Sequence, residues 1–202
     1  MKKKYNEMVN ELSDKELLFH LYATQVLLIG VSFVLGMIFF DRFSVFRHIR
    51  IDDLNIITVG AAGGIFVVAI DLILMKWLPN SFYDDGGLNE KIFRNRSILH
   101  IAFMAFLVAF SEEFLFRGII QAKFGLIAAS TLFALVHFRY LFNWFLFVDV
   151  VLLSFFIGAV FWLTDNLAVT VVMHFIIDFL LGIYMRWKSK KNEEEQAGVF
   201  NE

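Results

Sequence analysis

The sequence predicts an all-α, polytopic bundle of about six transmembrane helices. Three observations carry this. Hydrophobic residues make up 59% of the 202 positions, against roughly 45–50% in soluble globular domains. Mean hydropathy is +0.68. A single Pro leaves the apolar runs almost uninterrupted, and several reach the ~20 residues needed to cross a ~30 Å hydrocarbon core. A net charge of -2 gives no electrostatic basis for nucleic-acid binding. The absence of Cys excludes disulfides, thiolate metal sites and a cysteine nucleophile within this sequence, leaving carboxylates, histidines and hydroxyls for any chemistry.

Taken in order, residues 1–20 read as a polar N-terminal segment, and the first apolar run as a span over 21–40. No small-x-small cleavage site follows that run, so a cleaved signal peptide is not expected. Further spans are expected at 54–78, 97–121, 124–141, 142–163 and 166–187. The fourth is short for a crossing: it either tilts or stops inside a protein-lined cavity, where irregular backbone is tolerated. The stretch 80–96 is the one long polar connection, turning at Asp85-Gly86-Gly87. Residues 21–187 form one membrane domain, and 188–202 a polar tail expected to be irregular.

Lys and Arg set the orientation. Lys2, Lys3, Lys4 and Lys15 precede the first span; Lys76, Lys91, Arg94 and Arg96 flank the polar connection; Arg186, Lys188, Lys190 and Lys191 follow the last span. Arg139 falls on the same side, which places both termini in the cytoplasm, while Arg42, Arg47 and Arg50 of the first outer loop count against that orientation.

Against this background the stretch FLVAFSEEFLFRGII is anomalous, since it sets Glu112, Glu113 and Arg117 inside an apolar helix. A charge at mid-membrane costs ~2.5–3.5 kcal/mol on insertion scales. Glu113 and Arg117 are four apart and can pair, whereas Glu112 points ~100° away. A structural knot accounts for the pair and leaves Glu112 unexplained. FALVH carries His137 four residues after Phe133, and HFIID sets His174 four residues before Asp178. If the third and fourth helices form a hairpin turning at Phe124-Gly125, Glu112 and His137 each lie ~19 Å from the turn and meet at one depth. One shared polar cavity would then satisfy the carboxylates and histidines together. Asp71 and Asp149 are weaker candidates for its lining; His20, His48 and His100 read as interfacial or solvated, and Ser111 has no activating base at a useful spacing.

The motifs EExxxR (Glu112, Glu113, Arg117), FxxxH (Phe133, His137) and HxxxN/D (His174, Asp178), in this order on successive membrane segments, resemble the CPBP family. That family comprises the CAAX proteases and bacteriocin-processing (Abi) enzymes, whose eukaryotic relatives trim prenylated proteins. The resemblance covers about 97–187. It implies an intramembrane glutamate endopeptidase in which Glu112 and His137 activate a water, His174 and Asp178 stabilise the oxyanion, and Glu113 and Arg117 organise the site. It implies no cofactor and no metal. Asp178 stands where the family often has Asn, and an ionised carboxylate cannot donate to an oxyanion; it would instead orient His174 or itself be protonated.

Two other readings compete. Two histidines and the carboxylates could hold Zn²⁺, although HExxH is absent and Arg117 would repel a cation. A non-catalytic membrane scaffold could retain the fold, although its motif residues would then be free to drift. A proton-coupled carrier lacks the expected inverted repeat. The implied partners are a peptide or membrane-protein substrate and the lipid bilayer, in a bacterial plasma membrane.

Overall fold

The computed structural model describes residues 7, 9, 11–40 and 47–199. Lys2, Lys3, Lys4 and Arg42, which enter the orientation argument, lie outside the described residues.

Helix α1 spans Asp14–Phe39. It starts seven residues before the apolar run because Ser13 and Glu16 form a capping box: Ser13 N–H donates to Glu16 Oε2 at 2.8 Å, and Glu16 N–H to Ser13 Oγ at 3.3 Å. Only Leu17, Gln25 and Ser32 of this helix are buried, so most of its apolar surface is turned outward, as a lipid-facing helix requires. A π-helical turn, Ile56–Ala61, leads into α2, Ala62–Trp77. The connection that follows turns where expected, with Gly86 and Gly87 both at φ 79 and Asp84 and Asp85 accepting from their amides at 2.9 and 3.1 Å. It also contains a short helix that periodicity does not announce, α3, Leu88–Phe93.

Helix α4, Ile98–Glu113, is capped by Ser97 and continues as a π-helical segment, Phe114–Gln121. The next helix, α5, Ala122–Val136, is broken at Gly125, whose φ of 85 and ψ of 172 suit a residue without a Cβ. The chain doubles back there, and Leu115, Phe116 and Ile120 pack on Ala129 and Phe133 of the returning arm. That arm, 126–136, rises only ~16 Å at 1.5 Å per residue, about half the hydrocarbon thickness. The fourth span was expected to run to 141; instead it stops at Val136, His137 leaves helical geometry (φ -84, ψ 32), and Phe138–Phe142 tightens into a 3-10 turn.

Helix α6 covers Trp144–Thr164 and α7 covers Leu167–Val199. Helicity in α7 therefore continues through the polar tail, where an irregular chain was expected. Lys and Glu are good helix formers, and Lys191 pairs with Glu195 one turn on at 3.7 Å.

Among the described residues, five helices are long and apolar enough to cross a membrane. The difference from six lies in Ile98–Val136, which counts once although Gly125 folds it into a full crossing and a half one. Helix α7 packs against α2, α4 and α6 at the centre of the bundle, with Val169, Met173 and Ile177 meeting Val68, Ile157 and Val160. Gly60 and Gly64 permit this approach, since a Cβ there would lie 2.7 Å from Val169 O and 2.8 Å from Met173 O.

Both ends of the membrane domain lie at one face. Lys91 Nζ donates to the Val9 and Leu12 carbonyls, Asp14 pairs with Arg94 and Arg96 at 3.6 and 3.7 Å, and a Cβ on Gly182 of α7 would lie 3.0 Å from Phe93. At the opposite face Arg50 N–H donates to Asn166 Oδ1 at 3.1 Å, and Asn166 Nδ2 donates to Arg50 O and Asp53 Oδ2 at 2.8 and 3.1 Å. The result is an all-α membrane bundle.

Candidate active site

The end of α4 and the π-helical segment after it carry the charges. Glu113 has no exposed surface, Arg117 is 1% exposed and Glu112 8%. Arg117 Nη1 pairs with Glu113 Oε1 at 3.1 Å. Its other nitrogen, Nη2, donates to Ser154 O at 3.0 Å and to Ser154 Oγ at 3.2 Å on α6. The guanidinium also lies 4.8 Å from the Phe133 ring centre. One turn on, Gln121 Nε2 donates to Gly158 O at 2.6 Å, so two residues four apart on the π-helical segment meet two residues four apart on α6. Such wide turns recur at functional sites because they redirect side chains without ending the helix.

Glu113 has a second partner. His174, 5% exposed on α7, holds Glu113 Oε1 through Nδ1 at 2.9 Å. A carboxylate only accepts, so Nδ1 carries the proton in that bond. The other ring nitrogen, Nε2, is thereby turned inward. It lies 3.5 Å from Asp178 Oδ2 and 4.0 Å from Glu112 Oε2. Glu113 is thus the partner of His174 Nδ1, and Asp178 lies with Glu112 beside the other ring nitrogen.

His137, at the end of α5, donates from Nδ1 to the Phe133 carbonyl at 2.8 Å. In neutral imidazole this leaves Nε2 with its lone pair free, and Nε2 stands 3.9 Å from Glu112 Oε2. The hairpin thus brings Glu112 and His137 to one depth, and the six polar motif residues, Glu112, Glu113, Arg117, His137, His174 and Asp178, belong to one cluster. Among the described residues no group of three or more His, Cys, Asp or Glu side chains is spaced to close on one metal ion.

The remaining polar candidates fall elsewhere. Asp71 on α2 and Asp149 on α6 lie within electrostatic reach of each other and of Tyr83, whose phenol is pushed up first by burial and then by these two carboxylates. His100 Nε2 shares a 2.7 Å hydrogen bond with the Tyr22 hydroxyl, and His48 Nδ1 bonds Asp165 Oδ1 at 2.7 Å. Ser111 donates to Leu107 O at 2.8 Å and meets Gln25 Oε1 of α1 at 2.5 Å, a structural link immediately before Glu112.

Gln25, Gln121, Ser130 and Ser154 hold the cluster in place without belonging to any motif. Ser130 Oγ donates to Ser154 O at 3.2 Å, closing the α5–α6 side. A faint signal existed for one of them: Ser154 stands four residues before Gly158 in an apolar helix, the small-residue spacing that lets membrane helices approach.

A family model described as type II CAAX prenyl endopeptidase Rce1-like matches residues 94–180, which contain the whole cluster. The chain is also 42% identical over 177 residues to a protein of Bacillus subtilis (strain 168) named "Uncharacterized protein YpbD", covering 87% of this chain and 94% of that one. No solved structure matches. The apolar helices and the bacterial relative place the protein in the bacterial plasma membrane as an integral membrane protein. With the motif order, the buried cluster and these matches in agreement, the chain belongs to the Rce1-like family of membrane-embedded CAAX peptidases.

Proposed function

We propose that the protein is an intramembrane endopeptidase that hydrolyses peptide bonds with a water activated by Glu112 and His137. The observation that carries this is the spacing around Glu112. Its Oε2 is 3.9 Å from His137 Nε2 and 4.0 Å from His174 Nε2. Both distances exceed a direct hydrogen bond and suit one bridging water. Glu112 and the lone pair on His137 Nε2 both accept, so the water's protons point to them and its own lone pair is directed at a substrate carbonyl. His174, with Nδ1 held by Glu113, presents Nε2 to the same space. When protonated there, it donates to the tetrahedral oxyanion, a contribution of ~3–4 kcal/mol in comparable sites. Asp178 Oδ2 lies 3.5 Å from the same nitrogen. Collapse of the intermediate returns the proton from Glu112 or His137 to the leaving amine, breaking the C–N bond.

Ser154 holds Arg117, Arg117 holds Glu113 and Glu113 holds His174, so the ion pair serves the chemistry through an intermediary. The substrate class is a peptide or a membrane-associated protein able to present an extended backbone at this depth.

The test is peptide cleavage by the purified protein in detergent, using a fluorogenic peptide library with and without chelator. Chelator-resistant cleavage that is lost in Glu112→Ala supports the proposal. Loss on chelation with recovery on adding Zn²⁺ sinks the metal-independent mechanism, and cleavage undiminished in Glu112→Ala sinks the assignment of the base.

A further inference from the structure

Beyond the motif residues, we propose that Tyr140 is a positioning residue that locks the His137 ring in its working orientation. The inference rests on the reading of His137 as a base for the attacking water.

His137 occupies an exposed place in the backbone. It is the first residue after α5, outside helical geometry, and its own N–H reaches Phe133 O only at 3.3 Å. A side chain at a helix end has no following α-turn to pack against. The ring nevertheless has two aromatic neighbours. Phe133 stacks on one face at 4.4 Å between centroids and 24° between planes. Tyr140 is parallel to it within 5°, at 6.2 Å.

This arrangement comes from a change of helical period. In an α-helix residues four apart share a face, which sets Phe133 against His137. In a 3-10 turn residues three apart eclipse, which sets His137 against Tyr140; the Tyr140 N–H donates to His137 O at 3.0 Å, closing that turn. The switch from one period to the other falls on His137 itself. Two arginines terminate the resulting column, Arg117 at 4.8 Å from the Phe133 ring centre and Arg139 at 4.5 Å from that of Tyr140, where Arg139 also donates to the Tyr140 hydroxyl. Cations over aromatic faces add attraction to the stack. The column therefore runs from the buried ion pair to the end of the site nearest the polar connection, to which Asn143 is tied by bonds to Ser81 O and Asp84 O at 3.0 and 3.2 Å.

The test follows the His137 ring directly in the full chain in detergent, labelled with ¹⁵N-histidine. Long-range proton–nitrogen spectra report the tautomer of each histidine, and a His137→Asn variant assigns the signals. In the wild type and in Tyr140→Phe, which keeps the flat ring, His137 is expected to show a single Nδ1–H tautomer. In Tyr140→Leu its signals should average between tautomers, and kcat on a peptide cleaved by the wild type should fall by up to about 100-fold, the scale of a catalytic group misplaced by ~1 Å. KM should stay within about twofold, since substrate binding is not what the ring supports. Tyr140→Met fills similar volume without a flat face and replaces Tyr140→Leu should the latter fail to fold.

A folded variant lacking the ring, with unaltered His137 signals or with undiminished kcat, would overturn the proposal. Full activity in His137→Asn would instead overturn the role of His137 as a base. In that case the spectra still decide whether Tyr140 orders the ring.

Discussion

Glu113 and Arg117 separate two properties that a single substitution confounds. Arg117→Ala leaves a carboxylate with 0% exposure facing only His174, and stripping one partner from a buried pair costs ~3–5 kcal/mol. Replacing both, as Glu113→Leu with Arg117→Leu, removes the uncompensated charge and should restore most of that stability in thermal unfolding. Activity should not return, because His174 Nδ1 has then lost its acceptor. Recovery of cleavage along with stability would reduce the pair to a packing device. The charged members of this cluster were legible in the sequence because ionised groups are costly in an apolar helix and so stand out. Ser154, Gln25 and Tyr140 were not, since a hydroxyl or an amide in a membrane helix costs little enough to pass as background. The bond from His174 to Glu113 was equally hidden: sequence spacing pairs residues within a helix and is silent about which helix faces which.

At the scale of the element, composition located the helices and misjudged where they end. Phe138, Leu141 and Trp144 are as apolar as what precedes them and mask the stop at Val136, although Arg139 and Asn143 interrupt the run; the stop itself lies in the backbone geometry at His137. The π-helical turns are invisible for the same reason. Gly125, like Gly86 and Gly87, was readable as a turn signal, and its positive φ is the feature that folds α4 and α5 into a hairpin. Packing of α6 on that hairpin depends on Gly158, where a Cβ would meet Leu126 and come within 2.9 Å of Gln121 Oε1 and 3.3 Å of Ser130 Oγ. Gly158→Ala should therefore destabilise by ~1–3 kcal/mol through overpacking, and Gly158→Val by more. Since Gln121 donates to the Gly158 carbonyl and Arg117 to Ser154 one turn away, the loss should appear in kcat as well as in the unfolding temperature. An unfolding temperature unchanged in Gly158→Val would show that α6 does not pack there.

A second element, the 47–53 segment, is fastened to the α6–α7 turn through Asp53. Its carboxylate accepts from Asn55 N–H at 2.9 Å and Asn166 Nδ2 at 3.1 Å, and these bonds, with Arg50 nearby at 3.6 Å, hold it below the usual carboxylate range. A carboxylate depressed on folding contributes stability above its unfolded pKa of ~3.9 and loses it as pH falls through the lower folded value. Wild type should therefore exceed Asp53→Ala in unfolding temperature at about pH 7, with the gap narrowing toward about pH 3. A gap independent of pH would show that the contacts of Asp53 do not need its charge.

For the whole molecule, the topology makes a prediction that five apolar helices alone would get wrong. Five simple crossings put the two ends of the chain on opposite sides of the membrane. The break at Gly125 returns the chain through half the thickness, and the 3-10 turn at Phe138–Phe142 leads on to α6. Val9, Lys91 and the Gly182 region of α7 consequently gather at one face, while Arg50, Asp53 and Asn166 gather at the other. Positive charge at 91–96 and 186–191 predicts that the first face is cytoplasmic. Because the sequence contains no Cys, each introduced thiol is unique and reports its own side. Glu90→Cys and Lys190→Cys should react with a membrane-impermeant maleimide in inverted vesicles and stay unlabelled in intact cells, whereas Asp52→Cys should do the reverse. Glu90→Cys and Lys190→Cys labelling from opposite sides would break the half-span topology, and with it the meeting of Glu112 and His137. All three reversed would keep the fold and the site intact, and would turn the end of the site nearest Arg139 toward the outside of the cell.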